Sequence, residues 1–170
     1  MMSVRYIALS DAERVAEINI EGWQTAYRGI FPDEFLDSLD LKSRISSVKT
    51  AVSENPTDGL VFEDGNQNIL GFCQFGELRW IEEFGEVCDC EMYAIYVLSR
   101  SRGQGVGKAL MEAAFAEFKG QNKKSMLVNV LAENTASVEF YRNLGGVEIG
   151  EKPFVLKGIS YPQITFGFKL

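Results

Sequence analysis

Residues Glu91 to Leu110, EMYAIYVLSRSRGQGVGKAL, carry the strongest chemical signal in the chain. Met92 to Leu98 is an apolar run rich in β-branched and aromatic residues and reads as a strand. A polar turn, Ser99 to Ser101, leads into Arg102-Gly103-Gln104-Gly105-Val106-Gly107 and then a helix-forming run, Lys108 to Lys119. Strand, glycine loop and helix in that order can hold a phosphate. Glycine lets the backbone approach the ligand, and the first N–H groups of a helix point outward without carbonyl partners. A cation at Arg102 or Lys108 adds charge complementarity.

Spacing excludes two common phosphate loops. A Walker A loop needs a glycine five positions before its Gly-Lys pair and a Ser or Thr after the lysine. Here Arg102 and Ala109 stand at those places around Gly107-Lys108. A dinucleotide loop needs G-x-G-x-x-G/A. Read from Gly103 its last position is Lys108, and read from Gly105 it is Leu110.

The pattern that fits is Arg102-x-x-Gly105-x-Gly107. It resembles the acetyl-coenzyme A loop, Q/R-x-x-G-x-G/A, of the GCN5-related N-acetyltransferase (GNAT) superfamily. Further along, Asn134-Thr-Ala-Ser137-Val-Glu-Phe140-Tyr141-Arg-Asn-Leu-Gly145 resembles that family's N-x-x-S/A-x-x-x-Y-x-x-x-G-F helix, with Gly146 where the family has phenylalanine. The resemblance covers nearly the whole chain.

It implies an enzyme that moves an acetyl group from acetyl-CoA to a primary amine by direct transfer in a ternary complex, with no metal. The pyrophosphate would lie on the backbone of Arg102, Gly103, Gln104, Gly105, Val106, Gly107 and Lys108. The pantetheine arm would run along Ile95, Tyr96 and Val97, with the Val97 amide donating to the acyl carbonyl. Asn134 and Ser137 would contact the cofactor, and Tyr141 would act as general acid toward the leaving thiolate. Glu91, six residues before Val97, is the base candidate, with a water relay as the alternative and Glu77 and Glu86 as weaker carboxylates. Trp23, Tyr27 and Arg28, in W-x-x-A-Y-R-G, resemble a segment of many bacterial relatives. They either line an acceptor cleft or face the core. Trp80 and Phe84 are candidates for a second wall.

Composition narrows the chemistry. The chain has no histidine, so Ser-His-Asp and Cys-His catalysis and His-based metal sites are excluded. Its three cysteines, Cys73, Cys88 and Cys90, are an odd number in a chain without a secretory h-region, which points to reduced thiols in a cytoplasm, and the resemblance implies a bacterial one. Cys88-Asp89-Cys90-Glu91 reads as alternating strand residues rather than a metal clip, for want of a second Cys pair. Net charge is −7, which argues against nucleic-acid binding through a basic surface. No apolar run is long enough for a membrane helix. The acceptor is expected to be a small-molecule amine, and a homodimer is plausible. The alternatives are a protein N-terminal or lysine acetyltransferase, or a non-catalytic acyl-CoA-binding regulatory module.

The elements that position these residues follow from periodicity. The 170 residues suit a single domain, 1–170. Val4 to Ala8 reads as a strand, and Ser10 or Asp11 as the cap of a helix carrying Val15, Ile18, Ile20, Trp23 and Tyr27. A second helical region covers Leu41 to Val52. Strands are expected at Leu60 to Glu63, Ile69 to Arg79, Glu86 to Val97 and Met126 to Leu131, and a closing pair at Val147 to Leu156 and Gln163 to Leu170. Helices fill Val106 to Lys119 and the segment from Asn134 to the Gly145-Gly146 stop. The order βααβββαβαββ makes an α+β fold, a mixed, mostly antiparallel central sheet with helices on both faces.

Overall fold

The computed structural model describes residues 2–170, which fall into two compact units. One takes the chain up to Gln74 together with Ala94–Ala114. The other takes Phe75–Tyr93 and Phe115–Leu170. Strands β3 (Ile69–Glu77) and β4 (Cys90–Val97) contribute to both. The sheet is mixed and mostly antiparallel, and the fold is α+β as expected.

In the first unit, β1 (Ser3–Tyr6) pairs antiparallel with β2 (Gly59–Glu63), and β2 pairs antiparallel with β3. Residues of β2 and β3 are buried almost without interruption, so both strand faces are covered and the sequence shows continuous apolar runs rather than alternation. Just past β4, Leu98 N–H donates to the Leu70 carbonyl (2.9 Å). Helix α1 (Ala12–Ala26) buries Ala12, Val15, Ala16, Ile18 and Gly22; of the expected stripe Val15 and Ile18 are buried, while Ile20, Trp23 and Tyr27 are half-buried, because small residues face the sheet in their place. A short helix, α2 (Asp33–Asp37), follows the Gly29 turn, and α3 (Leu41–Glu54) is capped by Asp40, whose carboxylate accepts from Ser43 N–H (2.7 Å). Such a cap contributes about 1 kcal/mol. Asp11 accepts from Ala8 N–H (2.7 Å) and from Arg5, which also pairs with Glu63 of β2, so this ionic cluster fixes the entry to α1 against β1 and β2.

The second unit follows the order β4-β5-β9-β6. The parallel register of β4 on β5 (Ser125–Leu131) covers Cys90–Met92. Strand β9 (Gln163–Lys169) pairs antiparallel with all of β5, and β6 (Val147–Glu151) pairs with β9. Across the β5–β9 register Thr165, fully buried, donates its hydroxyl to the Asn129 side-chain oxygen Oδ1 (2.5 Å), which satisfies a polar pair inside the sheet.

Two expectations change. The strand expected from Glu86 begins at Cys90, because helix α4 (Ile81–Phe84) and a turn closed by Cys88 N–H on the Phe84 carbonyl (2.8 Å) occupy the preceding residues. The strand start is then held by Asp89, whose carboxylate accepts from Lys124 and Ser125 N–H. The closing pair is interrupted: β6 stops at Glu151, and β7 (Phe154–Leu156) with β8 (Ile159–Tyr161) forms a separate hairpin around Gly158, whose φ is +80°. Among the described residues no helix is long and apolar enough to cross a membrane.

Candidate active site

The glycine loop lies in the first unit and is built for an exposed ligand. A 3₁₀ turn, Ser99–Ser101, leads to Gly103 (φ +73°) and Gly105 (φ +83°). Both sit in the left-handed region that a side chain would strain, and a Cβ at either would meet nothing within 4 Å. Backbone conformation, not crowding, therefore requires glycine here. Ala109 N–H donates to the Gly105 carbonyl (2.9 Å), the first step of the ladder in α5 (Val106–Gly120). The N–H groups of Val106, Gly107 and Lys108 are then the donors that a helix leaves without carbonyls of its own. Arg102, Gly103, Gln104, Gly105 and Lys108 are exposed, while Val106 is buried and anchors the loop.

Helix α1 braces this loop through residues that sequence reasoning passed over. Glu21 accepts from Ser99 N–H (2.9 Å), and Thr25 accepts from the Arg102 guanidinium (3.0 Å). Between them Gly22 lies against Tyr96: a Cβ there would come within 2.3 Å of the Tyr96 ring. Thr25 lies one turn beyond Glu21 and Gly22 on α1, so the signal was the 3–4 spacing from those two residues to Thr25.

The acceptor candidates divide. Trp23 and Tyr27 join Phe31 and Phe35 in an aromatic cluster with centroids 5.0–6.3 Å apart. Arg44 of α3 stacks over the Trp23 ring at 5.0 Å. Tyr27 hydroxyl lies 3.1 Å from that of Tyr96. Burial pushes the Tyr27 phenol up, and the hydrogen bond to Tyr96 offsets only part of this, so it stays protonated through neutral pH. Arg28 points elsewhere: it is exposed and bridges Asp33 and Asp37, tying the α1 end to α2.

In the second unit, helix α6 (Thr135–Asn143) carries Asn134 as its cap, accepting from Ser137 N–H (3.3 Å). Its end is a Schellman motif: Gly145 N–H donates to the Arg142 carbonyl and Gly146 N–H to the Tyr141 carbonyl, both 3.0 Å, with Gly145 at φ +89°. A Cβ at Gly146 would lie 2.7 Å from the Phe168 ring. The missing phenylalanine is thus accounted for: rings from β9 fill the space behind the helix. Tyr141 is buried, its ring beside Phe140, Phe166 and Phe168.

Glu91 is 1% exposed, and both of its carboxylate oxygens are engaged by Arg79. Oε2 accepts from the Arg79 backbone N–H (3.0 Å) and Nε (3.1 Å), and Oε1 from Nη2 (2.6 Å). The guanidinium also covers the Tyr93 ring at 4.2 Å, and Tyr93 hydroxyl donates to the Glu77 carbonyl (2.6 Å). Burial pushes the Arg79 guanidinium down, but the hydrogen bonds and charge of Glu91 outweigh it and hold it above its ordinary value. Glu91 thus has the surroundings of an ion-pair anchor rather than of an open proton acceptor. Arg79, in the bend after β3, was missed as its partner, although a carboxylate within an apolar strand signals that a neighbouring segment must supply a cation.

The other carboxylates stand at the surface. Glu77 pairs with Lys123, and Glu86 is exposed in the turn before β4. Phe84 belongs to a core cluster with Leu78, Cys88 and Leu127, against which Trp80 packs. Lys152 lies 3.9 Å from the Trp80 ring and pairs with Glu83. Cys73, Cys88 and Cys90 are buried free thiols, and burial pushes Cys73 up to about 12.

Comparison with known proteins is consistent with these features. A family model described as "Acetyltransferase (GNAT) family" matches residues 14–145. YuaI, an uncharacterized N-acetyltransferase of Bacillus subtilis (strain 168), is 30% identical over 168 residues, 99% of this chain and 93% of its own. An L-methionine sulfoximine/L-methionine sulfone acetyltransferase of Pseudomonas aeruginosa is 29% identical over 96 residues, 56% of this chain and 54% of its own. Among solved structures, yncA of Salmonella typhimurium with its cofactor acetyl-CoA superposes with a TM-score of 0.72 at 20% identity, covering 99% of this chain and 94% of that one.

Proposed function

Because this chain belongs to the GNAT acetyltransferase family, we propose that it transfers an acetyl group from acetyl-CoA to the primary amine of a small molecule, directly and within a ternary complex. The observation that carries this reading is the loop: Gly103 and Gly105 at positive φ open onto the free N–H groups of α5, with Arg102 and Lys108 exposed beside them. That donor set suits a pyrophosphate, which needs several converging N–H groups and cationic charge.

Acetyl-CoA supplies the acetyl group activated as a thioester. In this reading Arg102 to Lys108 bind the pyrophosphate through backbone N–H groups. Ile95, Tyr96 and Val97 give backbone groups to the pantetheine arm, and Val97 N–H polarises the acyl carbonyl. The short register of β4 on β5, limited to Cys90–Met92, supports a partner of another kind for the strand's far end. Tyr141 is the general acid that gives its hydroxyl proton to the leaving sulfur. Asn134 caps α6 and so sets the angle at which Tyr141 is presented, and Ser137 faces the cofactor. Glu91 holds Arg79, and the proton of the attacking amine goes to water. Trp23 and Tyr27 form the apolar side of the acceptor site, and Arg28 organises its rim.

A small-molecule acceptor is supported by the P. aeruginosa relative, whose name gives amino-acid analogues as its substrates. The test is isothermal titration with acetyl-CoA, followed by a thiol-release assay over polyamines, aminoglycosides, amino acids and peptides. Binding with turnover on a small amine is the expected result. Absence of acetyl-CoA binding would overturn the assignment of Arg102 to Lys108, and turnover restricted to peptides would move the acceptor to proteins.

A further inference from the structure

One half-buried arginine of this acidic chain has no acid beside it. Arg5, Arg14, Arg28, Arg79 and Arg142 each pair with a carboxylate, while Arg100 and Arg102 stand exposed at the glycine loop. Arg44 of α3 is different. Among the described residues it meets no carboxylate, and its guanidinium lies over the Trp23 ring at 5.0 Å. Stacking on an indole uses the flat face of a guanidinium. The N–H donors lie in its plane, so the edge remains open to a planar, two-oxygen anion.

One turn earlier on α1 stands the complementary group. Asn19 Oδ1 is buried and, among the described residues, accepts no hydrogen bond. Buried oxygens of this kind are uncommon, because water is given up with nothing in return. Asn19 and Trp23 are four residues apart and share a helix face, and a long side chain on a helix leans back over the preceding turn. An oxygen that lacks a donor and a cation that lacks an anion therefore flank one indole ring.

This face leads to β4 by two routes. Trp23 packs on Tyr27 at 5.1 Å, and the Tyr27 hydroxyl lies 3.1 Å from that of Tyr96, the neighbour of Val97. Gly22, three residues after Asn19, lies directly against the Tyr96 ring. Asn19, Trp23, Tyr27, Arg44 and Tyr96 all belong to the first unit. The phosphate loop is held from elsewhere on α1. Glu21 and Thr25 are each two positions from Trp23, about 200° around the helix, so the loop and Arg44 sit on opposite sides of α1.

We propose that Asn19 and Arg44 recognise the two ends of the acceptor. Asn19 Oδ1 accepts an N–H of the amine, and the edge of Arg44 takes a carboxylate on the same molecule, laid along Trp23. The acceptor class is then an amino acid or another amine bearing a carboxylate. The proposal rests on the acetyl-transfer reading above, and neither residue carries a proton in it.

The two residues make separable predictions with matched acceptors, each amino acid against its decarboxylated amine. In the wild type the amino acid should have the lower KM. Arg44→Gln should raise that KM roughly ten- to hundred-fold and so abolish the preference for the amino acid. Asn19→Leu replaces a donorless oxygen with an apolar group of similar size. It should hold or raise the melting temperature while kcat/KM falls roughly ten-fold or more for both members of a pair. The Kd of acetyl-CoA should stay constant in both variants. Equal losses on both acceptors in Arg44→Gln would reduce Arg44 to a cover for Trp23. A lower melting temperature with unchanged kinetics in Asn19→Leu would make Asn19 purely structural. A rise in the acetyl-CoA Kd in Arg44→Gln would give its anion to the cofactor. If decarboxylated amines react and amino acids do not, acetyl transfer stands and only this proposal falls. If acetyl-CoA binds but neither member of any pair reacts, the acetyl-transfer reading falls and takes the proposal with it.

Discussion

Gly105 adopts φ +83° in open space, so a replacement there costs backbone strain, not a clash. Gly105→Val should weaken acetyl-CoA binding at least ten-fold by titration, because a β-branched residue in the left-handed region costs more than the 1–2 kcal/mol of an ordinary residue. Unchanged affinity would remove the loop from the cofactor site. Tyr141→Phe keeps the ring among Phe140, Phe166 and Phe168 and removes only the hydroxyl. Turnover should fall by roughly 10²- to 10⁴-fold with acetyl-CoA binding retained, and a fully active variant would end the general-acid assignment. Glu91→Gln separates two roles for one carboxylate. If Glu91 only anchors Arg79, the acidic limb of the kcat/KM–pH profile keeps its position while the melting temperature drops. Loss of that limb would restore Glu91 as the base.

At the scale of elements, α1 sets the height of the end of β4. Gly22 faces Tyr96 with no room for a methyl group, and Glu21 and Thr25 hold the loop on either side. Gly22→Ala should therefore cost about 1–3 kcal/mol by overpacking, seen as a lower denaturation midpoint, together with weaker acetyl-CoA binding as the Tyr96 ring shifts. A stable variant with full affinity would show that the α1–β4 contact yields without consequence. Helix α6 is punctuated at both ends by its own sequence, Asn134 at the start and Gly145-Gly146 at the stop. Both signals were legible because capping and the left-handed exit are local interactions among neighbouring residues. The β7–β8 hairpin and α4 were not legible. Both are very short, and such elements are decided by what packs around them.

Across the whole molecule, acid stability depends in part on the cluster at the entry to α1. Burial pushes the Asp11 carboxyl up, but hydrogen bonds from Arg5 and from Ala8 N–H outweigh it and hold it below its ordinary value of 3.8. A carboxyl lowered on folding stabilises the folded chain while ionised. That contribution is complete above the unfolded pKa and disappears as pH falls through the lower folded value. Asp11→Asn should thus melt below the wild type at neutral pH, and the two melting curves should converge as the pH drops under about 4. A constant gap across that range would show that Asp11 acts through packing alone.

Sequence alone determined the loop, its helix, the capped α6 and the α+β order, because each rests on local chemistry: glycine at left-handed φ, unpartnered N–H groups at a helix start, caps, and strand or helix periodicity. The absence of histidine also narrows the proton chemistry from composition alone. Tertiary structure decided which side chains meet. Glu91 looked like a free carboxylate on a strand face until Arg79, twelve residues earlier in the chain, was found holding both its oxygens. The ion pairs of Arg28 with Asp33 and Asp37 were likewise invisible in the sequence. The bracing of the loop by Glu21 and Thr25 spans more than seventy residues of sequence. Long-range pairings of this kind depend on strand register and helix docking, which no local pattern encodes.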